Sequence, residues 1–192
     1  ALDSKQKIRV ACVGIGNMGN GAVQGSLKEQ LVAFCDVDWG ETDKRSAGAV
    51  AKQHPNVPKF TDFREMLDKK GSEIDAVLIS TPDHTHFAAA MAAMQTKKHV
   101  FVQKPLAHNI WQVRTLHKAA QKYGVQTVMG NQVHRWEGIR LVREWFEAGV
   151  LGEVKEVHCW TDRPFGRAGF LDPQPAVAPA SEPVPEGVNW DL

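Results

Sequence analysis

The chain has no stretch approaching the roughly 18 to 20 consecutive apolar residues that a membrane-spanning helix requires. Its opening residues, Ala1 to Lys7, lack the apolar core of a secretory signal. There is no Met at the start, so removal of an export segment ahead of Ala1 stays open, and the compartment with it. A surplus of one charge is missing too. The 23 Lys+Arg are matched by 22 Asp+Glu, there is no basic stripe, and only one tyrosine is present, so nucleic acid is disfavoured and a small-molecule partner favoured. Cysteine is scarce: Cys12, Cys35 and Cys159 have no close spacing of the kind a metal knuckle or redox pair needs. Each lies in an apolar, strand-like run, so three buried free thiols are expected.

What is present is enough apolar material for one core. With 192 residues and 43% hydrophobic composition, one domain plus the beginning of another is the natural reading. From Ile8 to about Met129, short apolar runs alternate with longer amphipathic stretches, the mark of repeated strand-helix units in a parallel sheet. The runs are Ile8 to Val13, Leu31 to Cys35, Ala76 to Ile79, His99 to Val102 and Val125 to Met129, with a weaker one at Val57 to Phe60. Near-continuous apolar character predicts strands covered on both faces. His84 to Gln95 places Phe87, Ala90, Met91 and Met94 on one helical stripe, with Asp83 as the expected N-cap. Asn109 to Lys122 repeats the pattern with Ile110, Val113, Leu116 and Ala120, capped by Asn109 and closed by Gly124.

After Val133 the pattern changes. Ile139, Val142 and Phe146 predict another helix, and Glu153 to Thr161 alternates like a half-buried strand. Five prolines between Asp172 and Glu186 exclude a helix or an interior strand there. The expected organisation is a dinucleotide-binding domain over 1–133 and the start of a second, incomplete α+β domain over 134–192.

The chemistry concentrates at strand ends. Gly14-Ile15-Gly16-Asn17-Met18-Gly19 follows the first strand and opens the first helical stretch. In that setting glycine permits a tight turn and a close approach of backbone to pyrophosphate, while the free N–H groups of the helix face the phosphates. Asp36 ends the second strand 17 residues beyond Gly19, near the usual separation of roughly 20 for the acid that accepts from the ribose hydroxyls. A carboxylate there repels a 2′-phosphate and so favours NAD over NADP, although Lys44 and Arg45 nearby weaken the preference. Trp39 reads equally well as an adenine flank or as a surface aromatic. The fourth strand runs out into Ser80-Thr81-Pro82-Asp83-His84-Thr85-His86 and the fifth into Gln103-Lys104-Pro105, both expected to face the cofactor. A metal site at His84 and His86 is not supported: positions i and i+2 do not share a helix face, and no carboxylate–histidine cluster accompanies them.

These motifs, taken in order, resemble the glucose-fructose oxidoreductase/inositol dehydrogenase family, Gfo/Idh/MocA. The resemblance is carried by Gly14 to Gly19, by Asp36 in Cys35-Asp36-Val37-Asp38, by the T-P-x-x-x-H form of Thr81 to His86, and by Lys104-Pro105 in the place of the family's Glu-Lys-Pro. It continues through Met129-Gly130-Asn131-Gln132, Leu151-Gly152-Glu153-Val154 and Trp160-Thr161-Asp162-Arg163-Pro164, covering nearly the whole chain. It implies an amino-terminal Rossmann domain, a doubly wound parallel α/β sheet, followed by a larger substrate and oligomerisation domain. It further implies hydride transfer between NAD and a secondary alcohol of a sugar or polyol, with Lys104 beside the nicotinamide and the reacting hydroxyl. By the same resemblance Gly14, Gly16, Asn17, Met18, Gly19, Asp36, Ser80, Thr81, Pro82, His86, Gln103, Lys104 and Asn131 line the cofactor cleft. Lys104 and Arg163 face the substrate, and a homo-oligomer forms through the second domain. Two departures stand out: Gln103 replaces the usual acid before the lysine, and the chain ends at Leu192, where relatives continue. Two other readings stay open, a glycosidase that uses bound NAD transiently and a non-catalytic NAD-binding protein.

Overall fold

The computed structural model describes residues 6–132, 134, 136–160, 183, 184 and 188 of the chain. Runs of Val, Ile, Ala and Cys that can satisfy neither face in water pair into strands and bury both faces. They form β1 (Arg9–Val13), β2 (Gln30–Cys35), β3 (Lys59–Phe60), β4 (Ala76–Ile79), β5 (His99–Gln103) and β6 (Thr127–Gly130). All pairings are parallel, in the order β3-β2-β1-β4-β5-β6. The doubly wound α/β sheet expected from the sequence is therefore present, with the reversal of strand order between β1 and β4.

The connecting stretches supply α1 (Met18–Gly25), α2 (Ala47–Lys52), α3 (Phe63–Lys70), α4 (His86–Gln95) and α5 (Ile110–Tyr123). Alternate residues of β1 divide between two cores. Ala11 and Val13 join Met66 of α3, Ala89, Ala90, Ala93 and Met94 of α4, and Leu116 and Ala119 of α5. Val10 and Cys12 join Val23 of α1 and Ala47, Val50 and Ala51 of α2. Helices thus cover both faces, and each fully buried Val or Ile contributes about 1.5–3 kcal/mol.

The helix ends show which local signals hold. Asn109 caps α5, its Oδ1 accepting from Gln112 N at 3.0 Å, and Gly124 closes it in the left-handed region at φ 65°. Asp83 does not cap α4. Pro82 instead opens a 3-10 turn over Asp83–Thr85, and α4 begins at His86 without a side-chain cap. The fixed φ of proline tightens the turn and draws Asp83 inside it.

The chain divides into two compact units, residues 1–131 with 184–192 and residues 132–183. In the second, α6 (Glu137–Glu147) forms as its apolar spacing predicts, with Ile139, Val142 and Phe146 exposed. The strand expected from Glu153 is not there: residues 153–160 are exposed and carry no strand. Alternation makes a segment compatible with a sheet, but a strand needs a hydrogen-bonded neighbour, and none pairs with it among the described residues. Cys159, expected to be buried with that strand, is accordingly exposed, whereas Cys12 and Cys35 are buried as anticipated.

Candidate functional site

The sheet register sets the site. Val13 pairs with Cys35 and with Ile79, Ile79 with Val102, and Gln103 with Gly130. The residues that follow these strand ends, Asp36, Gly14, Ser80, Lys104 and Asn131, therefore emerge along one edge in that order. Asp36 and Lys104 are three strand intervals apart, roughly 14 Å at the usual spacing. Gly14 and Ser80 flank the reversal point, where ligands of such sheets bind.

The turn from β1 to α1 admits little but glycine. Gly14 has φ 74°, and a Cβ on it would lie 2.7 Å from Thr81 N across the reversal point. A Cβ on Gly19 would lie 1.9 Å from the Gly14 carbonyl oxygen. Gly16 is held against α2, where a Cβ would meet Ala47 N at 3.3 Å. Asn17, also at positive φ (47°), donates its N–H to the Arg45 carbonyl at 2.7 Å, so the loop after β2 braces the turn. Asn17 and Met18 are exposed, and α1 starts without a side-chain cap. Uncapped first-turn N–H groups at the positive end of a helix are the usual seat of a phosphate.

Asp36 Oδ2 accepts from Ile15 N at 2.8 Å and Oδ1 from Asp38 N at 3.2 Å. A carboxylate has about four acceptor positions, so with the N–H groups of Ile15, Asp38 and Gly16 on it one remains for a ribose hydroxyl. Burial raises the Asp36 pKa above its ordinary value, opposed by the backbone hydrogen bonds from Ile15, Asp38 and Gly16. Trp39 is half-buried against the second core, with Lys59 Nζ 5.3 Å from its ring centre.

At the β4 exit, Ser80 Oγ and Thr81 Oγ1 are buried hydroxyls without a hydrogen-bond partner among the described residues. Buried polar atoms in folded proteins are almost always paired. Two orphans beside the glycine turn are what a polar ligand seated there would satisfy. A glycine cradle, an uncapped helix start, an acid with a spare acceptor position and two orphaned hydroxyls together fit a dinucleotide.

Pro82 is exposed near these hydroxyls, whereas His86 is fully buried, 0% exposed, with Nδ1 2.7 Å from the Pro105 carbonyl and Nε2 2.8 Å from the Thr81 carbonyl. Its ring thus sits behind the strand-end loops. His84 is exposed and apart from it. Gln103 Oε1 accepts from Lys104 N at 2.9 Å, and Lys104 itself is exposed beyond β5, joined to Pro105 by a cis peptide. Asn131, exposed after β6, donates its N–H to the Met129 carbonyl at 2.9 Å. Arg163 lies outside the described residues. Sequence reasoning missed two participants: the Pro105 carbonyl as a partner of His86, and Gly130, where a Cβ would lie 2.6 Å from Gln103 Oε1. A glycine opposite a long polar residue in a parallel pair was the one available signal for the second.

The model of an oxidoreductase family with an NAD-binding Rossmann fold matches residues 8–131. An inositol 2-dehydrogenase of Salmonella typhimurium is 25% identical over 156 residues, which are 79% of this chain and 45% of that protein. A glycosyl hydrolase family 109 protein of a Shewanella species is 28% identical over 154 residues, 77% of this chain and 33% of that protein. The crystal structure of an inositol dehydrogenase homolog from Azotobacter vinelandii, complexed with NAD+, superposes with a TM-score of 0.66 at 26% identity, over 78% of this chain and 40% of that one. The chain spans less than half the length of the curated relatives it matches. With the matched region running from β1 to the end of β6, the chain belongs to the Gfo/Idh/MocA oxidoreductase family and carries its NAD-binding Rossmann fold.

Proposed function

We propose that this chain is the cofactor-binding part of a dehydrogenase that moves hydride between a secondary alcohol of a sugar or polyol and NAD. The observation that carries the reading is the single row of strand ends, with the glycine turn and Asp36 at one end and Lys104 three strands away. NAD supplies the hydride acceptor when bound. The glycine turn and the start of α1 hold the diphosphate, Asp36 accepts from the adenosine ribose, and the Ser80 and Thr81 hydroxyls face the cofactor at the reversal point. Lys104 would meet the alcohol oxygen in one of two forms: as an ammonium it donates to the charge that develops there, and as a free amine it accepts the hydroxyl proton while hydride leaves the carbon for the nicotinamide.

Residues from 134 onward begin the substrate domain in this reading, with Arg163 on the substrate side and the oligomer built through that domain. The inositol 2-dehydrogenase relative makes a cyclic polyol the first substrate class to test. The decisive experiment follows NADH formation by the complete protein with a panel of inositols and hexoses, for wild type and Lys104→Ala. Turnover lost in the variant with NADH binding retained supports the assignment, and turnover retained overturns it.

The glycosyl hydrolase relative favours a second reading, in which the alcohol is oxidised, the glycoside eliminated and hydrated, and the sugar reduced again. Release of nitrophenol from nitrophenyl glycosides without accumulation of NADH distinguishes it.

A further inference from the structure

Positioning is demanding for a reacting amine: a displacement of about 1 Å costs about 100-fold in rate. Lys104 nevertheless stands on an exposed turn beyond β5. The backbone on both sides of it is tied down by side chains. Before it, the Lys104 N–H donates to Gln103 Oε1 at 2.9 Å. After it, the Pro105 carbonyl lies 2.7 Å from His86 Nδ1. The far end of the same ring, Nε2, lies 2.8 Å from the Thr81 carbonyl at the exit of β4.

His86 begins α4 and is fully buried, so its ring is fixed by packing as well as by these two contacts. A carbonyl oxygen only accepts, so a hydrogen bond to it requires a proton on the ring nitrogen that faces it. A neutral ring carries one N–H, so it donates to one of these carbonyls and packs against the other, spanning the two strand-end loops. The exit of β4, packed on the glycine turn through Thr81 and Gly14, thereby becomes a reference point for the turn that carries the amine.

We infer that His86 is a positioning residue for Lys104, acting through a hydrogen bond from Nδ1–H to the Pro105 carbonyl. The inference rests on the reading of Lys104 given under the proposed function. His86 touches neither cofactor nor substrate in this account. It sits behind the cleft and fixes where the amine can be.

Three variants of the complete protein test this, assayed with NAD and whichever alcohol of the panel supports turnover. His86→Asn places an amide nitrogen where Nδ1 lies and keeps the Pro105 link. His86→Gln reaches the Nε2 position and keeps the Thr81 link, and His86→Phe keeps neither. The expected result is near-normal kcat for the Asn variant and a fall of about 10- to 100-fold for the Gln and Phe variants, with NADH affinity and KM changed far less. Equal losses in the Asn and Gln variants, full activity in the Phe variant, or losses accounted for by NADH affinity would each overturn the inference. Lys104→Ala separates the two claims: activity retained there defeats the underlying reading, whereas activity lost there but kept in His86→Phe defeats only the role of His86. Should none of the His86 variants fold, long-range 1H–15N spectra of the wild type decide. An exchange-protected proton on Nδ1 supports the inference, and its absence overturns it.

Discussion

The carboxylate of Asp36 reaches back from the end of β2 to accept the main-chain N–H of Ile15 at 2.8 Å, joining the ribose acid to the glycine turn. One group thus shapes the loop and addresses the ligand.

Burial raises the Asp36 pKa, so the folded state holds this proton more tightly than the unfolded chain. The resulting stabilisation is complete below the unfolded value of about 3.9 and is lost as pH rises through the higher folded value. At neutral pH the ionised acid is a cost to the unliganded fold, offset by a ligand that donates to it. Asp36→Asn is therefore expected to flatten the decline in urea midpoint as pH rises above about 4. It should weaken NADH binding by about tenfold or more and narrow the gap to NADPH, as read by fluorescence titration with both dinucleotides.

The glycines of α1 and its turn are not equivalent. Gly19→Ala drives a Cβ into the Gly14 carbonyl and should lower stability by about 2 kcal/mol or more, abolishing NADH binding with it. Gly21, exposed within α1, has open space around its Cβ position. Gly21→Ala is expected to raise stability by about 0.5–1 kcal/mol, because it removes only unfolded-state freedom. Chemical denaturation of both variants checks the opposed signs.

Thr81→Val removes a buried hydroxyl that has no hydrogen-bond partner among the described residues. The unliganded protein should gain about 1 kcal/mol, since an unsatisfied polar atom is replaced by a methyl group. NADH affinity should fall. Parallel melting curves with and without NADH read both effects, and a variant that lost stability without ligand would contradict the account of this hydroxyl.

The three thiols should separate by reactivity. Burial pushes Cys12 and Cys35 up to about 12, leaving almost no thiolate at neutral pH. Cys159 is exposed. A colorimetric thiol reagent is expected to titrate one equivalent rapidly in the folded chain and three after denaturation.

Much of the fold was legible because the signals were local and redundant. Every strand of the sheet coincides with an apolar run, and Asn109 and Gly124 bound α5 as their chemistry dictates. Asp83 failed as a cap because Pro82 imposed a tighter turn ahead of it. The segment from Glu153 failed because alternation expresses compatibility with a neighbour that the segment itself does not provide. The same distinction applies to the site. Gly14, Gly19 and Asp36 were identifiable because one short loop contains their reason for being there. His86 was recognisable as part of a motif, but the two carbonyls it faces come from Thr81 and Pro105, and only the folded sheet brings them to opposite ends of one ring.

Gly130 opposite Gln103 has an evolutionary corollary. Any side chain at 130 would occupy the volume into which the amide of Gln103 folds to reach the Lys104 N–H. The two sites should therefore change as a unit: a lineage that acquires bulk at 130 is expected to shorten the residue at 103 in the same step, and to find a new way of fastening its lysine.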